Sequence, residues 1–449
     1  MLNEIASSKD CLTLTEAFIK TIDHFVPCFW SALSKMPDPR DSNRIRYPIE
    51  EEILIGILTF IMKLGARRNI KYKFNSPVFV SNIKQIGGIF YPENKFPDTI
   101  LHGDTLNYLL SGIDPQRIHN LRKLVIRSLV RKRCLENYRL LKRYYTIAID
   151  GTGYLAFKKR HCEHCLKRVI KGKTFYLHQV LEAKLVLPGI GMALSISSEF
   201  IENEKEDVSK QDCELKAFYR LIKKLKSDFP QMNICLLLDG LYAAKPVMEV
   251  IKEMGWDYLI TFKEGSGKSM FEEYEALLKF LPNNSLEKRE GEICHSYRWA
   301  HDMDWNGQIV HGFEDRQETP EGKKRFVWLS SIKADRNNVE ELSQGGGRSR
   351  WIIENQGFNT QKNGGYALEH AFSTNNWGMK NFYLLMQIAH IFNQLMEKGS
   401  LLRERIRTEM GSLKVFSDWL WSSFTSIWID VKKLCSILKR RFQIRFNTS

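Results

Sequence analysis

Three acidic residues of this 449-residue chain stand where they could do chemistry. Asp150 closes the run Tyr145-Thr-Ile-Ala-Ile149 and is followed by Gly151-Thr-Gly153. β-Branched and aromatic residues favour a buried, pleated strand. Asp150 is therefore expected to be the last residue of a central strand, with a tight turn after it. Asp239 ends a second run, Ile234-Cys-Leu-Leu-Leu238, and Gly240 follows. Glu354 lies in Arg350-Trp-Ile-Ile-Glu354-Asn-Gln-Gly-Phe-Asn-Thr-Gln-Lys362, which reads as a helix. An acid fixed by a sheet, with open space before it, suits a hard cation that takes oxygen ligands. Two strand-end aspartates and a helical glutamate, far apart in sequence, would serve a two-metal phosphoryl-transfer site with Mg²⁺ or Mn²⁺ ions about 3.5–4 Å apart. Asp150 would bridge both ions, Asp239 would hold one and Glu354 the other. Singly, a strand-end Asp is often a turn or cap residue; the combination and its order carry the weight.

Other residues have a plain and a functional reading. Arg350 is four residues before Glu354 and shares its helix face, so it is either an ion pair worth a few tenths of a kcal/mol or a phosphate clamp. Lys362 lies two turns beyond Glu354 and could reach the same nucleic-acid backbone. Trp351 reads as core packing. In the helical stretch 118–133, Lys123, Arg127 and Arg131 fall on one face with no acid between them, which is a solvated face or a phosphate contact. Trp299 and Trp305 could stack on a displaced base or pack in a core. His161, Cys162 and Cys165 would make one corner of a zinc site, but no second pair lies nearby, and Cys294-His295 is a distant candidate. Gly265-Ser-Gly-Lys-Ser269 lacks the earlier glycine of a phosphate loop, since Phe262 stands there, so ATP binding is not expected.

The elements that must position these residues alternate in a definite order. Residues 1–140 read as mostly helical, with helices at 12–25, 49–64 and 106–110 and breaks at Asp38-Pro39, Ser76-Pro77 and Tyr91-Pro92. From Tyr144 the texture changes. Strands are expected at 145–149, 174–186 and 192–200, with a loop at 161–173. An acidic link at 202–207 leads to a helix at 212–229, a strand at 234–238, a helix at 245–254 and a strand at 258–262. That β, β, β, α, β, α, β order predicts an α/β fold, a mixed sheet with flanking helices, and it matches the ribonuclease-H-like fold. Residues 264–345 read as a β-rich insertion before the last catalytic helix, projecting from the sheet edge, and Gln344-Gly-Gly-Gly347 as a flexible joint. An apolar helix at 384–396 is expected to pack on the sheet. The division read from sequence is 1–140, a helical N-terminal DNA-binding region; 141–263 with 346–400, the catalytic core; 264–345, the insertion; and 401–449, a basic helical tail.

The net charge of +15, with 67 Lys and Arg against 52 Asp and Glu, predicts an anionic partner, of which nucleic acid is the commonest. The N-terminus shows no basic segment followed by an apolar core, so no secretory leader is expected. The longest apolar run, 53–62, is too short to span a bilayer. Nine scattered cysteines suit free thiols in a reducing cytoplasm. The expected location is cytoplasmic and nucleoid-associated, with no membrane partner.

At Ile149-Asp-Gly-Thr152, at Leu238-Asp-Gly-Leu-Tyr-Ala-Ala-Lys-Pro246 and from Trp351 to Tyr366, the chain resembles a bacterial insertion-sequence transposase of the DDE type. The branch it resembles carries a β-rich insertion and a Tyr-Arg-Glu-Lys signature around the glutamate. The resemblance runs from about 101 to 392. Arg350 fits the signature; Gln361 stands at the Lys position, with Lys362 one later, and Gly347 stands where the family has its tyrosine. The resemblance implies Asp150, Asp239 and Glu354 as catalytic triad. It also implies binding of terminal inverted repeats, cleavage at the element ends, joining of 3′ ends to target DNA, and a homodimer on double-stranded DNA. Two alternatives stay open: a catalytically idle DNA-binding protein from a domesticated element, or a ribonuclease-H-like nuclease without strand transfer.

Overall fold

The computed structural model describes residues 12–206 and 208–446. Asp207 of the acidic link and the last three residues of the tail lie outside the described residues, as do residues 1–11. The chain divides into two compact units, Met1–Cys134 with Thr360–Ser449, and Leu135–Asn359. This cut differs from the division read from sequence: both termini share one unit with residues 360–400 of the expected core, and the rest of that core shares the other with the insertion.

The Leu135–Asn359 unit is built on a ten-stranded mixed sheet. Its strands are β1 (Tyr145–Phe157), β2 (Leu166–Ile170), β3 (Lys173–Leu187), β4 (Met192–Ile201), β5 (Ile234–Leu238), β6 (Asp257–Thr261), β7 (Ser285–Glu290), β8 (Ile293–Trp305), β9 (Gln308–Thr319) and β10 (Gly322–Ser330). The order is β2-β3-β1-β5-β6-β10-β9-β8-β7, with β4 also on β3. β5 is apolar at every position and wholly buried, as a central parallel strand must be. It lies parallel to β1, with Ala148 beside Leu237, and parallel to β6, with Leu238 beside Ile260. The helix Lys245–Glu253 makes the β5–β6 crossover, with Pro246 in its first turn, where a missing N–H costs nothing. The helix Glu214–Asp228 buries Ala217, Phe218, Leu221, Ile222 and Leu225 and packs on β3 and β4.

Four expectations are corrected here. β1 does not turn after Asp150; it runs on to Phe157, because β3 continues to pair with it antiparallel as far as Tyr176. The loop expected at 161–173 contains β2, which forms a hairpin with β3. The strands of 264–345 do not project from the edge as a separate module. β10 pairs antiparallel with β6, so β7–β10 extend the central sheet. Gln344-Gly-Gly-Gly347 is no loose joint either. Its residues are helical, and a Cβ at Gly347 would stand 2.3 Å from the Trp328 ring and one at Gly346 2.5 Å from Leu259. Glycine is there for close approach, since no side chain fits between helix and sheet.

The other unit is helical. Its centre is the helix Asn376–Lys398, buried over nearly its whole length. A helix buried on every side belongs inside a bundle, and this one packs on Ile49–Ile61, Gly103–Gly112 and Pro115–Arg131 rather than on a sheet as expected. Asn381 donates to the carbonyls of Leu110 and Ile113, both at 2.7 Å, which satisfies carbonyls at the end of the Gly103–Gly112 helix. The C-terminal helices Leu413–Ser426 and Val431–Lys439 pack on Leu14–Phe25 and Pro77–Phe90. No described helix is long and apolar enough to cross a membrane.

Candidate active site

β5 stops at Leu238 while β1 continues, so the parallel pairing ends at Ala148 and Leu237. Two residues further on stand Asp150, within β1, and Asp239, just past the end of β5, at equivalent positions along neighbouring strands. Sheet geometry puts such a pair side by side at the carboxyl end of the parallel strands, the usual place for a site in an α/β sheet. Asp239 also caps the turn Gly240–Tyr242, one of its carboxylate oxygens accepting from the Leu241 N–H at 2.9 Å.

Glu354 arrives from the other direction. Gly347–Arg350 is a 3-10 turn, and Ile353–Asn359 is a π-helix, not the regular α-helix expected. Ile353 and Phe358 anchor it in the core formed by Ala148, Val186, Leu237 and Trp328. π-Turns persist at functional sites because they re-aim side chains at a cost in regular hydrogen bonding. Arg350 ties the parts together. Its Nη2 donates to Glu354 Oε1 at 2.7 Å, and its Nη1 is 3.8 Å from Asp150 Oδ2. Its Nε is buried with no hydrogen-bond partner.

A fourth acid joins them that the sequence did not single out. Glu214, first residue of its helix, accepts from the Tyr242 hydroxyl at 2.7 Å. A Cβ at Gly151 would sit 2.7 Å from its carboxylate oxygen, so glycine after Asp150 serves close approach instead of the expected turn. Nothing in its local sequence marks Glu214: an acid in a first helical turn is ordinary dipole complement.

Four carboxylates against one guanidinium leave the lip short of positive charge. Asp150 is pushed up to about 7, mainly by burial, with Arg350 opposing and Glu354, Glu214 and Asp239 adding to the rise. Burial also raises Glu214. An acid-rich, partly buried oxygen cluster of this kind fits a hard divalent cation, which would supply the missing charge. Folded Asp150 holds its proton to higher pH than the unfolded chain, so its stabilising contribution is lost as pH rises from about 4 to about 7 and is flat above. Metal-free wild type is expected to lose denaturant stability relative to Asp150→Asn between about pH 4 and about pH 7. A difference constant across that range would remove the raised Asp150 from the account.

A cleft of about 650 Å³ opens beside the acids. Asp239, Lys263, Arg348, Arg350, Trp351 and Phe326 are among its walls, a mixture of cations and rings that suits a nucleic-acid strand. Trp351 is 49% exposed and so is not the core residue expected. Trp299 is the reverse. It is 4% exposed, packed with Tyr297, Phe313 and Trp328, and cannot stack on a base. Trp305 is buried too, beside Phe262. Lys362 belongs to the helical unit, where it lies 3.0 Å from Glu369. Lys123 and Arg127 are half-buried on the Pro115–Arg131 helix, and Arg131 at its end is exposed.

No family model matches the sequence, and neither does any curated protein. Among solved structures, a piggyBac transposase synaptic complex with hairpin DNA, determined by cryo-EM, is similar over 96% of this chain and 84% of that one. The identity is 12% and the TM-score 0.41, too low for the likeness to carry an argument.

Proposed function

We propose that this chain is a DNA transposase with a ribonuclease-H-like catalytic core, acting on double-stranded DNA as a homodimer. The observation that carries the reading is the convergence of Asp150, Asp239 and Glu354, which stand 89 and 115 residues apart in sequence, at the end of one parallel strand pair. The resemblance of these same motifs to DDE transposases points the same way, and the charge of +15 supports it independently. These three acids would hold two divalent ions, Mg²⁺ or Mn²⁺. Such ions neutralise the scissile phosphate and make a water or sugar hydroxyl nucleophilic. The protein's own groups do the rest. The sheet fixes the two aspartates, and the π-turn brings Glu354 to them. Arg350 holds Asp150 and Glu354 together and has the planar fork that takes a phosphate. Lys263, Arg348 and Trp351 line the way for a DNA strand.

The test is nicking of labelled duplex that carries the inverted repeats flanking the gene, in Mg²⁺, Mn²⁺ or Ca²⁺. Nicking in the first two and binding alone in Ca²⁺ are expected, because Ca²⁺ coordinates more loosely and at longer distance. Nicking without joining would leave a nuclease; binding without nicking on a correct end would leave an idle DNA-binding protein.

The Pro115–Arg131 helix is assigned to DNA-end recognition. Reversing the charge at Lys123, Arg127 and Arg131 should weaken end binding. It should also lower the slope of log K against log salt by about one unit for each phosphate that the helix no longer neutralises. An unchanged slope would make the stripe a solvated face.

A further inference from the structure

Beyond the carboxylates, at the far end of β1, two thiols and two imidazoles meet. His161 and Cys162 lie in the connection after β1, Cys165 immediately precedes β2, and His178 is on β3. The pairing of Leu166 with Leu177 sets the neighbouring Cys165 and His178 across from each other. Cys162 Sγ and Cys165 Sγ are 3.5 Å apart, and each is 3.5 Å from His178 Nε2. His161 Nδ1 is 3.2 Å from Cys165 Sγ. All four ligand atoms lie within 4.8 Å of one another.

These separations have a chemical meaning. Zinc–sulfur bonds of about 2.3 Å and zinc–nitrogen bonds of about 2.0–2.1 Å give tetrahedron edges of roughly 3.4–3.8 Å. The observed spacings fall close to that range. They do not fit a disulfide, whose sulfurs are about 2.05 Å apart and which has no use for two imidazoles aimed at it. Cys165 and His178 are buried and the other two half-buried. His161 Nε2 is itself buried with no hydrogen-bond partner, so the polar partner of this ring lies on its thiol side. The surroundings hold the cluster in place. The Asn203 side chain donates to the Cys165 carbonyl at 3.0 Å, and His164 Nδ1 meets the Asn203 carbonyl at 2.8 Å.

We propose that His161, Cys162, Cys165 and His178 bind one structural zinc ion that locks the β1–β2 connection onto β3. Four protein ligands close the coordination shell, which leaves no open position for substrate and marks the site as structural. Thiolate and imidazole also select against Mg²⁺, so the site is chemically separate from the oxygen cluster at Asp150. Its consequence reaches that cluster through the sheet. β3 is the strand beside β1, and their register shifts between Gly153 and Leu155, just beyond Asp150. A clamp at the end of this ladder holds the irregular stretch, and with it the direction in which Asp150 points.

The test is metal analysis of the full chain purified without chelator. One zinc per chain is expected in wild type and in Cys213→Ser, an exposed cysteine outside the cluster. Zinc should be lost in Cys165→Ala and His178→Ala and kept in His178→Cys, which exchanges one zinc ligand for another. Because a variant that lacks a ligand can fail to fold, wild type reloaded with Co²⁺ provides a second readout. Sulfur-to-cobalt charge transfer and the strong visible bands of tetrahedral cobalt are expected. Wild type with neither zinc nor a cobalt spectrum would overturn the proposal. So would full zinc in Cys165→Ala, or a Cys162–Cys165 disulfide in the purified chain. None of these readouts uses DNA cleavage, so the zinc site is decided separately from the transposase reading.

Discussion

Asp150→Ala is expected to lower metal-dependent nicking by about a thousandfold or more while leaving duplex binding intact or tighter. Asp150 stands at the middle of the acidic lip, with Arg350 and three other carboxylates acting on it. If Asp150 holds both metal ions as proposed, removing it forfeits several kcal/mol of transition-state charge stabilisation, at about 1.4 kcal/mol per tenfold in rate. The same change takes one negative charge out of a cleft that must receive a polyanion, so binding has no reason to fall. Asp239→Ala and Glu354→Ala should do the same, and a double variant should be scarcely worse than a single one, because the acids work as a unit. The measurement is single-turnover nicking of a labelled end beside a binding titration in Ca²⁺. Full nicking by Asp150→Ala would end the catalytic assignment; a parallel loss of binding would show that the residue holds the fold instead.

Trp299→Ala is expected to cost about 3–5 kcal/mol of folding stability, the range for truncating a buried aromatic. Trp299 lies among Tyr297, Phe313 and Trp328 in the core that also seats Ile353 and Phe358 beneath the Glu354 turn. The cavity would therefore open under the Glu354 turn, and on the proposed function nicking should fall with stability. Trp351→Ala is the paired experiment. Trp351 is half exposed in the cleft, so stability should stay within about 0.5 kcal/mol while binding to single-stranded or opened DNA weakens. Denaturant midpoints separate the two. An unchanged midpoint for Trp299→Ala with weakened end binding would restore it to the DNA interface.

That exchange between two tryptophans shows where sequence reading stops. Residue type predicts that a tryptophan buries area; it does not say whether the neighbours that bury it are protein or DNA. The strands 145–149, 174–186, 192–200 and 234–238 were legible because each is a run whose local pattern and tertiary burial agree. Asp150, Asp239 and Glu354 stand out in the sequence for a related reason: an acid directly after an apolar run breaks a pattern, and a break is visible in one dimension; that they come together was visible only in the structure. The extension of β1 beyond Asp150 was not legible, because the glycine at Gly151 marks a turn and a close approach alike, and the carboxylate that needs the approach, Glu214, lies 63 residues away in sequence. The region 264–345 was expected to be β-rich, but which strand its strands join is settled by β10 meeting β6, a pairing of backbones that no side chain announces. His178 is the clearest case. The sequence by itself marked three of the four residues of the proposed zinc site, His161, Cys162 and Cys165; the β2–β3 register brought His178 to them, since hairpin pairing converts a separation along the chain into contact across it.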